Sequence, residues 1–408
     1  MDFVISLLGS PISFLIVISV VITVHELGHY WVGRSFGAAV ESFAIGFGNP
    51  IFEVRDRRGT RWRVNWLPLG GFVKFVGEMQ APTDKRDIPP EAVNQDITVI
   101  EGAKPDEPTV KLIGKPYTEL GPLKRLAVSL GGPFANFIFA IFVFAILGMA
   151  MGVPKSDQVL IRSVVPGSAA EDAGFKVGDQ FIRAGGKEVL TGYDVTRATM
   201  LNSGEAVTYR ILRDGQELEI SAIPRAEIVT NQQLRVKERV GRLGAGLQEV
   251  NPHTDYLNPI QGVGYGLSQT ANALDATVNV LRRLITGKDG LDKLSGPLGI
   301  FNVADAGTDA NMKQEGVAYD QRLWGAALWL IQLSALLSIG VGFFNLLPIP
   351  VLDGGAAVMC IAEAVTGREV PEKVQRVGLT IGLACLVSFA LVITWQDITR
   401  LAMWSGAP

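Results

Sequence analysis

The 408 residues include 40 acidic and 37 basic side chains, a net charge of −3, 48% apolar residues and a mean hydropathy of +0.27. This balance is too apolar for an ordinary soluble enzyme, excludes disordered and collagen-like chains, and leaves no cationic surplus for a phosphate backbone, so no nucleic-acid partner is expected. The two cysteines, Cys360 and Cys385, lie in or beside apolar stretches, which leaves histidine and carboxylate as the available metal ligands.

Four apolar windows, at residues 3–24, 127–153, 323–347 and 377–395, each approach the roughly 20 residues needed to cross hydrocarbon. The first is too long for the apolar core of a signal peptide, and no Ala-x-Ala-like site precedes the polar turn near Arg34, so a retained helix is expected. The basic residues Arg34, Lys124, Arg125, Arg368, Lys373 and Arg376 flank one side of the spans. The expectation is a polytopic α-helical membrane protein with four transmembrane helices, both termini outside the cytoplasm, and its lipid partner the bilayer. The spans divide the chain into a first helix (1–34), a cytoplasmic or membrane-associated segment (35–126), a second helix (127–153) and an outer stretch (154–250 and 251–322). A third helix with the bend after it (323–354), a cytoplasmic turn (355–376) and a fourth helix (377–401) complete the order.

Within the first cytoplasmic segment, residues 61–78 alternate like strands around Leu69, Gly70 and Gly71, a β-hairpin signal. Residues 80–118, rich in proline and charge, read as a solvated insertion or linker. In the outer stretch, residues 159–189 predict a strand into Pro166-Gly167, a short helix ending at Gly174, a turn at Gly178-Asp179 and a strand ending at Gly185-Gly186. A hairpin about Asp214-Gly215 follows. Leu267, Ala271, Leu274, Val278, Leu281 and Ile285 recur at helical spacing, predicting an amphipathic helix that covers this domain or rests at the membrane surface. His253, in the polar outer stretch, reads as a surface residue.

The decisive pattern is His25-Glu26-Leu27-Gly28-His29, continuous with the first apolar helix. Histidines at i and i+4 share a helix face and can hold one zinc ion, while the Glu between them can take a proton from the attacking water. Counted from Phe3, His25 lies most of the way across the bilayer, where ionisable groups are costly unless they coordinate, pair or face water. Catalytic zinc takes three protein ligands, so one is missing. The stronger candidate is Asp353, following the proline-broken stretch Asn345-Leu346-Leu347-Pro348-Ile349-Pro350-Val351-Leu352. Irregular backbone near membrane depth is tolerated where it lines a wet cavity. The alternative for Asp353 is an N-cap of the next helix.

Together HELGH, GGPFAN (131–136) and NLLPIPVLDG (345–354) resemble the site-2 protease family of intramembrane zinc metalloproteases. The 61–78 pattern and SGPLGI (295–300) resemble the bacterial branch of the regulator of sigma-E protease. The resemblance implies Zn²⁺ held by His25, His29 and Asp353, Glu26 as general base and acid, and Asn345 in contact with substrate. It makes Gly70, Gly71, Phe72, Val73, Lys74 and Phe75 a membrane-associated β-hairpin edge that pairs with an unwound substrate, since a helical peptide bond is shielded until extended. Pro348 and Pro350 would support the ligand bend. Asn136 reads either as a support residue or as a helix-packing amide.

Residues 159–225 resemble an extracytoplasmic α+β PDZ domain, either a binder of peptide ends or a structural module; relatives of the best-known type carry two. The implied enzyme is a metalloendopeptidase of the bacterial inner membrane, its site toward the cytoplasm. It would cut in or near the transmembrane segment of a single-pass, anti-sigma-factor-like protein during regulated intramembrane proteolysis. Two rivals stand beside it: a non-catalytic PDZ-containing membrane adaptor, and a membrane-anchored zincin acting on cytoplasmic peptides.

Overall fold

Residues 11–77, 93–94, 97–100, 110–231, 236–291 and 294–405 are described by a computed structural model, and they fall into two units. One comprises the described residues up to Val143 together with Gly296–Thr394; the other comprises Phe144–Ser295 and the described residues from Trp395.

In the first unit, helix α1 (Pro11–Ser35) runs unbroken through the HELGH pattern, since nothing there interrupts the i to i−4 ladder. The expected start at Phe3 lies outside the described residues. With α2 (Pro122–Met151), α7 (Tyr319–Asn345) and α9 (Glu372–Ser405), it makes four helices, among the described residues, that are long and apolar enough to cross a membrane. α9 contains its expected window, 377–395, and the other three helices overlap theirs. Helices α1 and α2 touch backbone to backbone: a Cβ on Gly28 would come within 2.2 Å of Gly131 O, and one on Gly131 within 2.8 Å of Gly28 O. Small residues permit such approach where lipid supplies no hydrophobic drive between helices.

Beside α1 lie two long strands, β1 (Val40–Arg55) and β2 (Arg61–Phe75), each folded back on itself. Residues 42–45 of β1 pair with residues 71–74 on one side and with 61–64 on the other; 61–64 also pair with 52–55. The expected hairpin within 61–78 is therefore corrected. Its two arms do not pair with each other; both flank the first arm of β1, whose residues Val40 to Ala44 are all buried and take the centre. Phe43, Val73, Phe75 and Val128 share one apolar cluster, against which Leu27 and Tyr30 pack. The bend in β2 reaches α1 itself, where Ser19 Oγ donates to Pro68 O at 2.8 Å.

The 80–118 stretch is not all linker. Strands β3 (Val93–Asn94), β4 (Ile97–Ile100) and β5 (Val110–Ile113) pair in order, and Leu112 is buried with Ala39 and Val76. Lys115 is then tied to Gly37 and Ala39 by backbone bonds of 2.8 Å.

After α7 the chain bends through residues 346–352 and re-enters a helix at once, α8 (Asp353–Thr366). The expected cytoplasmic turn at 355–376 is thus largely helical. Gly354 and Gly355 make this possible: a Cβ on either would meet the carbonyls of Leu346, Leu347 or Ile349 at 2.3–2.4 Å. Gly367, at φ 66°, ends α8 in the left-handed conformation glycine adopts cheaply. Helix α6 (Pro297–Met312) packs on α1 and α7 in this unit, with Val17, Ala304, Leu330 and Leu333 buried together, so the expected 251–322 region is divided between the units.

The second unit is built on a sheet with strand order β10-β9-β7-β6-β13, with the short β8 (Lys187–Glu188) pairing with β7. Strands β6 (Val153–Val164), β7 (Gln180–Ala184), β9 (Val207–Arg213) and β10 (Gln216–Ala222) and the short helix α3 (Ala169–Asp172) fall where the turn signals placed them. Ile161, Phe181, Tyr209 and Ile211 are fully buried between the sheet and its helices, which is what alternation in β9 requires. Helix α4 (Gly192–Met200), the hairpin β11 (Arg225–Asn231) and β12 (Val236–Arg242), and the edge strand β13 (Ala245–Asp255) were not expected. β13 crosses the expected boundary at 250, and its glycine- and proline-containing sequence has no clean alternation. His253 lies on it, exposed as expected.

The amphipathic helix is α5 (Pro259–Ile285), but its apolar stripe does not cover the domain: Leu267, Val278 and Ile285 are exposed. Polar contacts dock it instead, Lys187 to Asp275 and Arg282 to Glu205, both at 2.7 Å.

Candidate metal centre

His25 and His29 project from one face of α1, and the bend after α7 delivers Asp353 to them. His25 Nε2 lies 3.0 Å from Asp353 Oδ2, His29 Nε2 lies 3.4 Å from Asp353 Oδ1, and the two Nε2 atoms are 3.2 Å apart. Donors bonded to one tetrahedral zinc at about 2.0–2.1 Å stand about 3.3 Å from one another. The three separations match that spacing, and among the described residues this is the cluster of metal-binding side chains that converges on a point. Asp353 Oδ2 is buried without a hydrogen bond although His25 Nε2 is near, as expected of a lone pair directed at a shared cation. Both imidazoles are buried. Asp353 is the first residue of α8 and carries no N-cap role; Leu352 occupies that position.

The outer nitrogens are also held. His29 Nδ1 is 2.8 Å from Val128 O, an acceptor that fixes the proton on Nδ1 and leaves Nε2 as a free donor to metal. Asn136, fully buried on α2, places its amide 3.3 Å from His25 Nδ1, and its Oδ1 has no partner. Turning that amide end for end lets Oδ1 accept from His25 Nδ1–H, the tautomer a ligating Nε2 requires. Gly132 lies against the ligating edges of the imidazoles: a Cβ there would come within 2.3 Å of His29 Nε2.

These residues face a cavity of about 810 Å³. His25, Glu26, His29, Asp353 and Asn345 line it, as do Phe72, Val73, Phe75 and Pro350. Gly70, Gly71 and Lys74 do not: Lys74 turns to Glu41 at 3.3 Å, and Gly70, at φ 112°, makes the bend in β2. Pro348 is exposed and outside the cavity. Glu26 reaches the strand edge, its Oε2 accepting from Val73 N at 2.9 Å. Sequence reading missed several contributors: the Val128 carbonyl, which no residue type announces, the tight fit at Gly132, and the ion pair of Arg125 on α2 with Glu363 on α8, both lining the cavity.

The comparisons agree with this chemistry. The model of "Peptidase family M50" matches residues 13–389. The chain is 36% identical to metalloprotease MmpA of Caulobacter vibrioides over 95% of both chains, and 33% identical to a putative zinc metalloprotease of Agrobacterium fabrum over 97% of both. It is 28% identical to the regulator of sigma-W protease RasP of Bacillus subtilis over 96% of this chain and 99% of that protein. The chain belongs to peptidase family M50, the site-2 protease family, and is a membrane-embedded, zinc-dependent metalloprotease.

Proposed function

We propose that the enzyme hydrolyses a peptide bond in or near the transmembrane segment of a single-pass membrane protein, with zinc held by His25, His29 and Asp353. The convergence of these three donors at 3.0–3.4 Å carries the reading. Zinc there supplies a Lewis acid that polarises the scissile carbonyl and makes water acidic enough to attack at neutral pH. Glu26 takes the proton from the attacking water and passes it to the leaving amine. Val128 O and Asn136 hold the imidazole tautomers, and Asn345 contacts the substrate backbone. Phe72, Val73 and Phe75 offer a strand edge to an unwound segment.

The Lys/Arg bias supports an inner-membrane orientation with the site toward the cytoplasm and the second unit outside. The order of its strands and helices supports a PDZ-like module. Among the described residues β13 pairs only with β6, leaving one edge beside α4 for a peptide end. The substrate is an anti-sigma-factor-like regulator cut in regulated intramembrane proteolysis.

The test is cleavage of a reconstituted transmembrane substrate by the wild type, Glu26→Gln and Asp353→Asn, with zinc content measured in parallel. Glu26→Gln keeps zinc and loses cleavage; Asp353→Asn loses both. Equal product from wild type and Glu26→Gln refutes the mechanism, and an active, zinc-loaded Asp353→Asn would favour a zincin with another third ligand.

A further inference from the structure

We infer that the second unit carries a binding site for a phosphate ester, in the cavity lined by the outer face of its sheet, α4 and α5. All the residues involved belong to that unit, and the inference does not rest on the proposed proteolysis.

The cavity measures about 870 Å³, a volume that takes a small molecule and not merely an ion. The charge on its wall begins with strand register. Phe181 of β7 pairs with Ile211 of β9, but Arg183 pairs with Arg210, so two residues of β7 advance against one of β9. This is a β-bulge at Ile182. Without it the ladder would set Ile182 opposite Arg210 and Arg183 opposite Tyr209, which is fully buried in the core. The bulge instead turns Arg183 to the outer face, opposite a second arginine. Like charges directly opposite each other on neighbouring strands are destabilising, and an anion between them removes that cost.

Both arginines line the cavity, and so does Arg197, half-buried on α4. Arg183 gives one N–H to Gly186 O at 2.8 Å, and Glu188, opposite it on β8, does not line the cavity. Arg210 lies 3.8 Å from Glu217, a loose and exposed pair, and faces Glu219 across β10. Among the described residues Arg197 has no ion pair or side-chain hydrogen bond.

The other charges on the wall are already matched. Lys187 pairs with Asp275 and Arg282 with Glu205, both at 2.7 Å. The Asp194 carboxylate accepts from the backbone N–H groups of Leu190 and Thr191 at 3.0 Å, where it caps α4. Within the cavity this leaves three guanidinium groups against the single carboxylate of Glu219.

Guanidinium forks grip phosphate oxygens in pairs. Two forks on directly opposed residues, with Cβ atoms about 5 Å apart, close on one compact phosphate better than on carboxylates spaced along a peptide. The organic part of the ester then takes the remaining volume, which Leu201 and Val278 line. Two sources offer this chemistry: a phospholipid headgroup and a free phosphorylated molecule.

The test uses the full-length protein with Arg183→Gln and Arg210→Gln, at about 0.15 M salt, where attraction between exposed charges is largely screened. One arm titrates glycerol 3-phosphate into the protein in detergent by calorimetry. The other compares hydrogen exchange of residues 181–187 and 206–212 in nanodiscs of phosphatidylglycerol and of an uncharged galactolipid. Saturable binding in the first arm identifies a free phosphate ester; protection confined to phosphatidylglycerol identifies a headgroup. In either case each variant should weaken binding about ten-fold or more, the size of one hydrogen bond to a charged group. Neither binding nor phosphatidylglycerol-dependent protection overturns the inference, as does binding that is equal in the variants and the wild type. A polyglutamate peptide that binds where neither phosphate probe does overturns it in favour of an acidic protein segment.

Discussion

Gly132→Ala tests whether α2 confines the ligating edges of the imidazoles. The added Cβ would lie 2.3 Å from His29 Nε2 and 2.8 Å from both Cε1 and Nε2 of His25. Ordinary contact for such atoms begins near about 3.4 Å, so at least one ring must retreat by about 1 Å. Neither can do so freely, since His29 Nδ1 is bonded to Val128 O at 2.8 Å and His25 Nδ1 faces Asn136 at 3.3 Å. A working metal site tolerates deviations of about 0.2 Å in ligand distance. A shift several times larger should cost at least the 10- to 100-fold in metal affinity typical of lost ligand support, about 1.4–2.7 kcal/mol. Competition with a chromophoric chelator in detergent measures this directly, with helix content checked by circular dichroism. A folded Gly132→Ala protein with wild-type zinc affinity would show that the rings are not confined by α2, and the packing argument would be wrong.

Asn136→Ala should lower zinc affinity by about ten-fold with little effect on folding, whereas a pure packing amide would affect stability and leave the metal alone; the same chelator competition distinguishes them. Glu363→Gln leaves the half-buried Arg125 charge without its partner and should weaken zinc retention and thermal stability together, and Arg125→Glu with Glu363→Arg should restore both in a melting assay. In the second unit, Lys288 and Arg282 hold the Glu205 carboxyl down at about 2, from an ordinary 4.5. Its stabilising contribution is therefore complete above about pH 4.5 and is lost as pH falls toward 2, and Glu205→Gln should remove that part of the acid sensitivity. Hydrogen exchange along α5 between pH 6 and pH 3 reads the effect; identical profiles for wild type and Glu205→Gln would contradict it.

What could be read from sequence was whatever local spacing determines. The HELGH pattern, the proline-broken bend and the turns at Gly174, Gly185 and Gly215 each state a geometry within a few residues. The partnership of His25 with Asp353 could be proposed because a catalytic zinc needs a third ligand, although more than 300 residues separate them. What could not be read was strand pairing. Trp62 and Val73 both look like halves of one hairpin, and only the burial of Phe43 reveals that each pairs with a third segment. Helix α8 was concealed in the same way, because Gly354 and Gly355 suggest a turn until their contact with the carbonyls of residues 346, 347 and 349 is seen. The apolar stripe of α5 was legible, but the side it turns outward depends on Lys187 and Glu205, which lie far away in the chain.

The hydrogen bond from Ser19 to Pro68 sets how deep the sheet sits. Ser19 precedes His25 by six residues, about 9 Å along the helix axis, so the bend of β2 reaches past the metal centre toward the N-terminal part of α1. The rim around that bend, Phe47, Trp66 and Leu67, is exposed and apolar, suited to acyl chains. Under the proposed membrane placement the sheet would act as a wedge in the hydrocarbon, and a transmembrane helix drifting in the lipid plane would meet extended backbone before it meets any aqueous surface.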